Sequence, residues 1–462
     1  MRSRPRRSWQ WTAALVGFAL SLAAAWYASE VTRLAVAYKA KILCSGVFVA
    51  GRDPADVLST DLALDNHWLI AWIPAAIDRV GQRARAGWAN PWRGEAMFRP
   101  DLGCTLVHAG LPHRAVMVDR VPDRATLGAW PLPALESPRL EAVLDEAFRE
   151  PAGNPARTRA IVVVHRDRLV GERYAPGFGP EMPLAGWSMA KSATNALIGV
   201  LVRQGRMALD EAAPVPEWRA SGDARAAITI AHLLRMTSGL EFSETYRDLL
   251  EDVMRMLLAE ADAAAFAAAK PLIHAPGSHW SYSGGSTNIL SRVIRARVGA
   301  VGYDDFPRRA LFDKLGMTTA VLEQDAAGNF LGSSFMYASA RDWARLGLLY
   351  LHDGVVGTER ILPEGWVAYS REPTAQSPAG EFGAHFWRRI PVSYRDAGRP
   401  VRVPADAFHA IGYEGQLLSI VPSRQLVVVR LGLTRSANAW RHDGFLAAVI
   451  KALDDPGGSA GG

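Results

Sequence analysis

The sequence predicts an α+β fold: an antiparallel sheet flanked by helices, with a helical subdomain inserted in its middle. Two observations carry this. A strand hairpin at residues 160–174 and a second at 417–431 stand far apart in the chain, and the stretch between them has mostly helical spacing. Strands at both ends with helices between require a sheet closed by distant segments.

The N-terminus comes first. Arg2, Arg4, Arg6 and Arg7 precede 22 residues, 8–29, without a charge, enough to span a bilayer. An uncleaved anchor is favoured over a cleaved signal peptide, whose apolar region is shorter, although Ala23-Ala24-Ala25 offers a small-residue cleavage site. The arginines would stay inside, which puts the bulk of the chain outside the cytoplasm, in the periplasm of a Gram-negative cell. Arg6-Arg7 is too bare for a twin-arginine signal.

Residues 30–136 form an accessory region with Trp-rich turns and no chemical motif. It holds both cysteines, Cys44 and Cys104, for which two readings stand: a disulfide, as export would permit, or two buried thiols. Ile42-Leu43 before Cys44 lacks the small residue of a lipidated cysteine. A Pro-punctuated connection over 121–138 then marks the boundary to the main domain, 137–453.

Within that domain, residues 160–164 read as a buried strand and 169–174 as its antiparallel partner, joined by Arg166-Asp167-Arg168. Strands at 417–421 and 426–431 flank Pro422-Ser423-Arg424-Gln425. Helical spacing covers 188–206, 230–236, 248–269, 288–298 and 338–351. The Gly-rich tail, 454–462, is expected to be disordered.

Composition excludes several functions. The 49% hydrophobic content supports a large core, and the net charge of +6 comes from scattered arginines without a dense basic block, which argues against nucleic-acid binding. Two cysteines cannot form a zinc site alone and no HExxH spacing occurs, so no metal or organic cofactor is expected.

The chemistry is carried by Ser188-Met189-Ala190-Lys191. The chain has six lysines (Lys39, Lys41, Lys191, Lys270, Lys314 and Lys451) among 52 Lys+Arg, and of these Lys191 alone has a serine three residues before it. On a helix this spacing sets an amine beside a hydroxyl, and a desolvated lysine, unlike arginine, can lose its proton and act as a base. By itself the pair is a weak signal, since most such spacings across proteins are a helix cap and a solvated lysine. Tyr282, in Trp280-Ser281-Tyr282-Ser283-Gly284-Gly285, adds a phenol able to relay a proton. The strand and turn through Gly412-Tyr413-Glu414-Gly415-Gln416 can offer the backbone N–H of Tyr413, with that of Ser188, as a two-donor oxyanion hole.

These blocks resemble the serine β-lactamase and penicillin-binding-protein family, in its esterase-like branch. The resemblance spans about residues 155–450: Gly186-Trp187-Ser188-Met189-Ala190-Lys191-Ser192, Thr229-Ile230-Ala231-His232-Leu233-Leu234, Thr237-Ser238-Gly239-Leu240, Pro276-Gly277, Ser339-Ala340-Arg341-Asp342-Trp343, and the 412–416 stretch. It implies a β-lactamase/transpeptidase-like fold and an acyl-enzyme mechanism. Lactam- and peptide-cleaving members usually carry Asn two places after the Tyr of the second motif and Lys or His opening the third; here Gly284 and Ala410 stand there. The chain is most similar to the 6-aminohexanoate-oligomer hydrolases and related carboxylesterases, in which a loop tyrosine contacts substrate; Tyr246 is the nearest candidate.

The resulting expectation is a membrane-anchored serine hydrolase acting on a small-molecule ester or amide. Ser188 is its nucleophile, Lys191 and Tyr282 its coupled base and acid, and Tyr413, Gly412 and Tyr246 its substrate-binding residues. β-Lactamase or D,D-peptidase activity, or a catalytically silent envelope binding protein, stand as alternatives. An α/β-hydrolase elbow is disfavoured, because Ala190 stands where the motif needs Gly.

Overall fold

The computed structural model describes residues 6–63, 68–108, 137–151, 153–245, 248–395, 401, 403–436 and 438–454. Most of the Pro-punctuated connection, the tail beyond Asp454 and Tyr246 lie outside the described residues.

Helix α1 (Arg6–Cys44) is longer than the uncharged stretch that begins it. Its first part exposes Trp11, Leu15, Phe18 and Leu22, and it is long and apolar enough to cross a membrane by length and composition. Beyond the Glu30–Arg33 ion pair it changes role, burying Leu34, Val36, Ala40 and Leu43. An antiparallel meander packs on this part: β1 (Ala75–Asp78), β2 (Arg83–Gly87), β3 (Arg93–Arg99) and β4 (Gly103–Leu106). Gly94 allows the close approach, since a Cβ there would lie 2.4 Å from the Val36 carbonyl oxygen.

Cys44 and Cys104 form a disulfide, which resolves the two readings of the cysteines in favour of the bridge. Beside it, buried Lys41 pairs with buried Glu323 at 2.5 Å, and Glu323 also accepts from Ser45 Oγ at 2.8 Å and the Cys104 amide at 2.6 Å. The helix thus continues into the same hydrophobic core as the rest of the chain, where Leu34 and Leu43 join Val162 and Leu197.

After α2 (Pro138–Ala147), β5 (Thr158–His165) and β6 (Arg168–Tyr174) make the first expected hairpin. The short strand β7 (Leu184–Ala185) leads into α3 (Ala190–Arg203). The helical middle follows, with α4 (Asp252–Leu258), α5 (Ala263–Ala268) and α6 (Gly284–Val298). Strands β8 (Val321–Leu322) and β9 (Met336–Ala338) join β7 in a small sheet of order β7-β9-β8, and α7 (Ala340–Leu351) comes next. The chain closes with β10 (Phe408–Gly412), β11 (Gln416–Val421), β12 (Leu426–Gly432) and α8 (His442–Asp454).

The five-stranded antiparallel sheet has the order β10-β11-β12-β5-β6, so Val428 near the end of the chain pairs with Val163. Both faces are covered. Val162 and Val427 join the core that includes Trp343 and Leu346 of α7, while Val163 and Val428 join Leu144 of α2 and Leu446 of α8. Double coverage explains why these strands read as continuous apolar runs rather than as alternation.

One helical expectation needs correction. The stretch 248–269 is two helices, because Asp262 accepts from the Ala265 amide at 2.8 Å and so caps a new start for α5.

Candidate active site

Gly186 is squeezed between two elements. A Cβ there would meet the Trp343 ring at 2.2 Å, and its carbonyl oxygen would lie 2.2 Å from a Cβ on Gly412. Only glycine at both positions lets the turn before Ser188 and the end of β10 come into backbone contact. Trp187 then takes a left-handed conformation, φ 47°, a strained state of the kind that costs about 1–3 kcal/mol and is held only by its surroundings. Those surroundings are Phe335 at 5.6 Å, Tyr413 at 5.7 Å ring to ring, and a bond from Trp187 Nε1 to Glu414 Oε2 at 3.0 Å. Glu414 is itself left-handed at φ 59°. Two strained turns are therefore latched to each other, one bearing Ser188 and the other Tyr413.

Ser188 sits in a single 3-10 turn, Trp187–Met189, whose end runs into α3. It is part-exposed, whereas Lys191 is buried. Lys191 Nζ donates to Ser188 Oγ at 3.0 Å and to the Ser333 carbonyl at 3.1 Å. Nζ also lies 4.7 Å from the centre of the Tyr282 ring, and the Tyr282 phenol engages the side chains of Ser188 and Lys191. The structure thus brings Ser188, Lys191 and Tyr282 together, with Gly412 and Tyr413 beside them.

A residue not singled out in the sequence completes the cluster. Glu244 is buried, and its Oε1 lies 3.4 Å from Lys191 Nζ. Its Oε2 accepts from the amide of Gly284, at the start of α6. No spacing rule marks it, since it comes from a loop about 50 residues from Lys191. Its effect corrects the expectation of a lysine deprotonated by desolvation. Burial does pull the Lys191 ammonium down, but the Glu244 carboxylate outweighs it, with help from Tyr282, and holds Lys191 above its ordinary value. The Tyr282 phenol is pushed up by burial and by Glu244, against the opposing pull of Lys191. In the resting site Lys191 is an ammonium and Tyr282 is neutral.

Behind Lys191 stands His385, also unmarked in the sequence. Its Nδ1 lies 3.0 Å from the Lys191 carbonyl oxygen and its Nε2 lies 3.1 Å from Thr287 Oγ1 of α6. Because a carbonyl can only accept, Nδ1 carries the proton and Nε2 accepts from Thr287. Burial, reinforced by the Lys191 charge, lowers His385 to about 3, so it is neutral at working pH. Ser192 Oγ also donates to the His385 carbonyl at 2.8 Å, so one neutral ring pins α3 to α6.

Ala410 is buried in β10 opposite Leu418, and the neighbouring His409 is taken up by Ser419 Oγ at 2.7 Å. This strand therefore offers no cation at the position that opens the third motif, and Gly284 offers only its amide.

The geometry agrees with what similarity finds. A family model described as Beta-lactamase matches residues 144–443. The chain belongs to that family. It is 25% identical over 324 residues to the 6-aminohexanoate-dimer hydrolase of Paenarthrobacter ureafaciens, covering 64% of this chain and 79% of that protein. Among solved structures, a Bacillus anthracis protein assigned as a 6-aminohexanoate-dimer hydrolase superposes with TM-score 0.56 at 22% identity, over 72% of this chain and 87% of that one. A penicillin-binding-protein homologue from Caulobacter crescentus gives TM-score 0.53 at 18% identity, over 70% and 99%. The β-lactamase/transpeptidase-like fold expected from the sequence is the fold observed.

Proposed function

We propose that this chain is a serine hydrolase that cleaves an ester or amide through an acyl-enzyme on Ser188. The observation that carries the reading is the bond from Lys191 Nζ to Ser188 Oγ at 3.0 Å, within a pocket that also holds Tyr282 and Glu244.

Proton bookkeeping follows from the charge states. Lys191 begins as an ammonium, so it must first release a proton, and Glu244 is an acceptor within 3.4 Å. Neutral Lys191 then takes the Ser188 proton as Oγ attacks the substrate carbonyl, and Tyr282 passes that proton to the departing alkoxide or amine. The oxyanion faces the amides of Ser188 and Tyr413. Water then attacks the acyl-enzyme, releasing the acid and restoring the Ser188 hydroxyl.

The absence of a cation at Ala410 and of an amide side chain at Gly284 favours ester or amide substrates over penicillins and D-Ala-D-Ala peptides. The relative from Paenarthrobacter ureafaciens, named for a linear amide dimer, points the same way. The uncovered apolar part of α1 supports membrane anchoring, and the Cys44–Cys104 disulfide supports an oxidising compartment outside the cytoplasm.

The test is a fluorophosphonate probe read by intact mass. Wild type should gain one adduct and Ser188→Ala none; an equal adduct on both, or none on wild type, would remove Ser188 from the role.

A further inference from the structure

A cavity of about 530 Å³, the size of a site for a small organic ligand, lies between α1 and the Ser188 turn. One wall is the anchor helix itself, through Leu34 and Ala35. The facing wall includes Leu257 of α4, Trp187 and Tyr413 line it on the side of the Ser188 turn, and Tyr27 lines it as well. The cavity therefore runs from the residues beside the candidate nucleophile back along the helix toward its uncovered apolar part.

Exposed aromatic rings cluster where that part begins. Trp26 and Tyr27 are exposed on α1, and so are Trp88 and Trp92 on the turn between β2 and β3. Trp92 Nε1 donates to Ser29 Oγ at 3.2 Å and the Trp88 amide donates to the Trp92 carbonyl at 3.1 Å, which sets this turn against the helix at residue 29. Tryptophan and tyrosine concentrated at one level of an apolar helix mark the plane of lipid headgroups. Tyr27 belongs both to this level and to the cavity lining, so the Tyr27 side of the cavity lies at the bilayer surface. From Tyr27 to Tyr38, the last α1 residue that lines it, the helix rises about 16 Å, comparable to an extended hydrocarbon chain reaching from the headgroup plane.

We infer that the cavity receives the hydrocarbon chain of a membrane amphiphile, and that the substrate of this site is a long-chain acyl ester or amide drawn laterally from the lipid leaflet. The inference rests on the Ser188 reading for its chemistry and on the anchor for its geometry. Ser334 and Asp248 supply polar lining, and Tyr27 Oη lies 3.5 Å from Asp248 Oδ1 at the mouth, where a headgroup would pass.

The experiment uses the full chain in phosphatidylcholine vesicles. Labelling rates are measured with an ethyl and a hexadecyl fluorophosphonate, for wild type and Ala35→Trp, which fills the cavity from the α1 side. The hexadecyl-to-ethyl ratio should exceed about ten for wild type and fall about tenfold in the variant; partitioning into the vesicles is the same for both proteins and cancels. A ratio near one, or a ratio the folded variant leaves unchanged, overturns the inference. A catalysis-independent arm uses Ser188→Ala and a photoreactive diazirine palmitoyl ester. Cross-links at Leu34, Ala35 and Leu257 support the cavity, whereas cross-links confined to residues 11–25 overturn it. If neither fluorophosphonate labels wild type, the nucleophile reading fails by itself, and the cross-link map still decides whether the cavity takes a chain.

Discussion

The Glu244 carboxylate lies 3.4 Å from the Lys191 ammonium, and with Tyr282 it offsets the downward pull of burial and holds the lysine above its ordinary value. A lysine held charged cannot take a proton from Ser188 until it has given one away, so base strength in this site belongs to the pair.

Replacing Glu244 by Gln removes the negative charge that holds Lys191 up while nearly keeping its shape. The limb on which kcat/KM rises with pH should move to lower pH, because the ammonium then loses its proton more readily. At neutral pH the rate should change through loss of the proton acceptor, by up to about 10²-fold. Lys191→Arg, which cannot deprotonate, should lose about 10²–10⁴-fold in acylation at every pH. Acylation rates followed across pH with a chromogenic short-chain ester check both; a Lys191→Arg enzyme as fast as wild type would exclude a proton-accepting amine.

The latch between the two strained turns is open to a conservative change. Trp187→Phe keeps a ring against Phe335 and Tyr413 but removes the Nε1–H bonded to buried Glu414. A loss of about tenfold in kcat/KM, equivalent to about 1.4 kcal/mol, is expected with little change in Tm. An unchanged kcat/KM would show that the latch does not position the oxyanion donors.

His385 gives a pH signature in stability. Its folded-state value is lowered from 6.5 to about 3 by burial and by Lys191. The unfolded chain therefore takes up a proton below pH 6.5 that the folded ring refuses, and the stability that His385 contributes is lost as pH falls from 6.5 toward 3. His385→Gln should be destabilised most at pH 7, with the deficit against wild type shrinking by about 1.4 kcal/mol per pH unit across that window. Urea midpoints at pH 7, 5.5 and 4.5 measure it, and a constant deficit would contradict a buried neutral ring.

Lys41 and Glu323 join the end of α1 to the strand region near β8 at 2.5 Å, with both side chains buried. Lys41→Met leaves buried Glu323 without its cation, which should cost about 3–5 kcal/mol. The double substitution Lys41→Met, Glu323→Leu should recover much of this, as thermal melts of the two variants in detergent will report.

The third-motif position predicts a negative result. With Ala410 buried opposite Leu418, Ala410→Lys should not be needed for ester turnover, and wild type should hydrolyse a p-nitrophenyl ester at least about 10²-fold faster than a chromogenic cephalosporin. Comparable rates on the two substrates would return the chain to antibiotic chemistry.

Much of this molecule was legible in its residues. The largely apolar runs at 160–164 and 426–431 read as strands because both sheet faces are covered. The rarity of lysine made Lys191 conspicuous, and the i, i+3 spacing to Ser188 became a real 3.0 Å contact because helical geometry is local. The 248–269 stretch was misread as one helix because Asp262 is an inconspicuous capping residue in an alanine-rich segment. Residues 30–108 were silent because their strands are short, and their partner is the later part of α1, which carries no motif of its own.

Sequence alone determined the elements and the spacing that depend on near neighbours: the two hairpins, the Ser188–Lys191 turn, the uncharged run of residues 8–29 and the ordered motifs that identify the family. Only the tertiary structure decided the protonation of Lys191, the neutrality of His385, the pairing of Cys44 with Cys104 and the continuation of α1 into the core. These depend on Glu244 beside Lys191, on Lys191 and the burial around His385, on Glu323 beside Lys41, and on other groups that are distant in the chain. Electrostatic and packing energies follow separation in space, and the fold sets that separation.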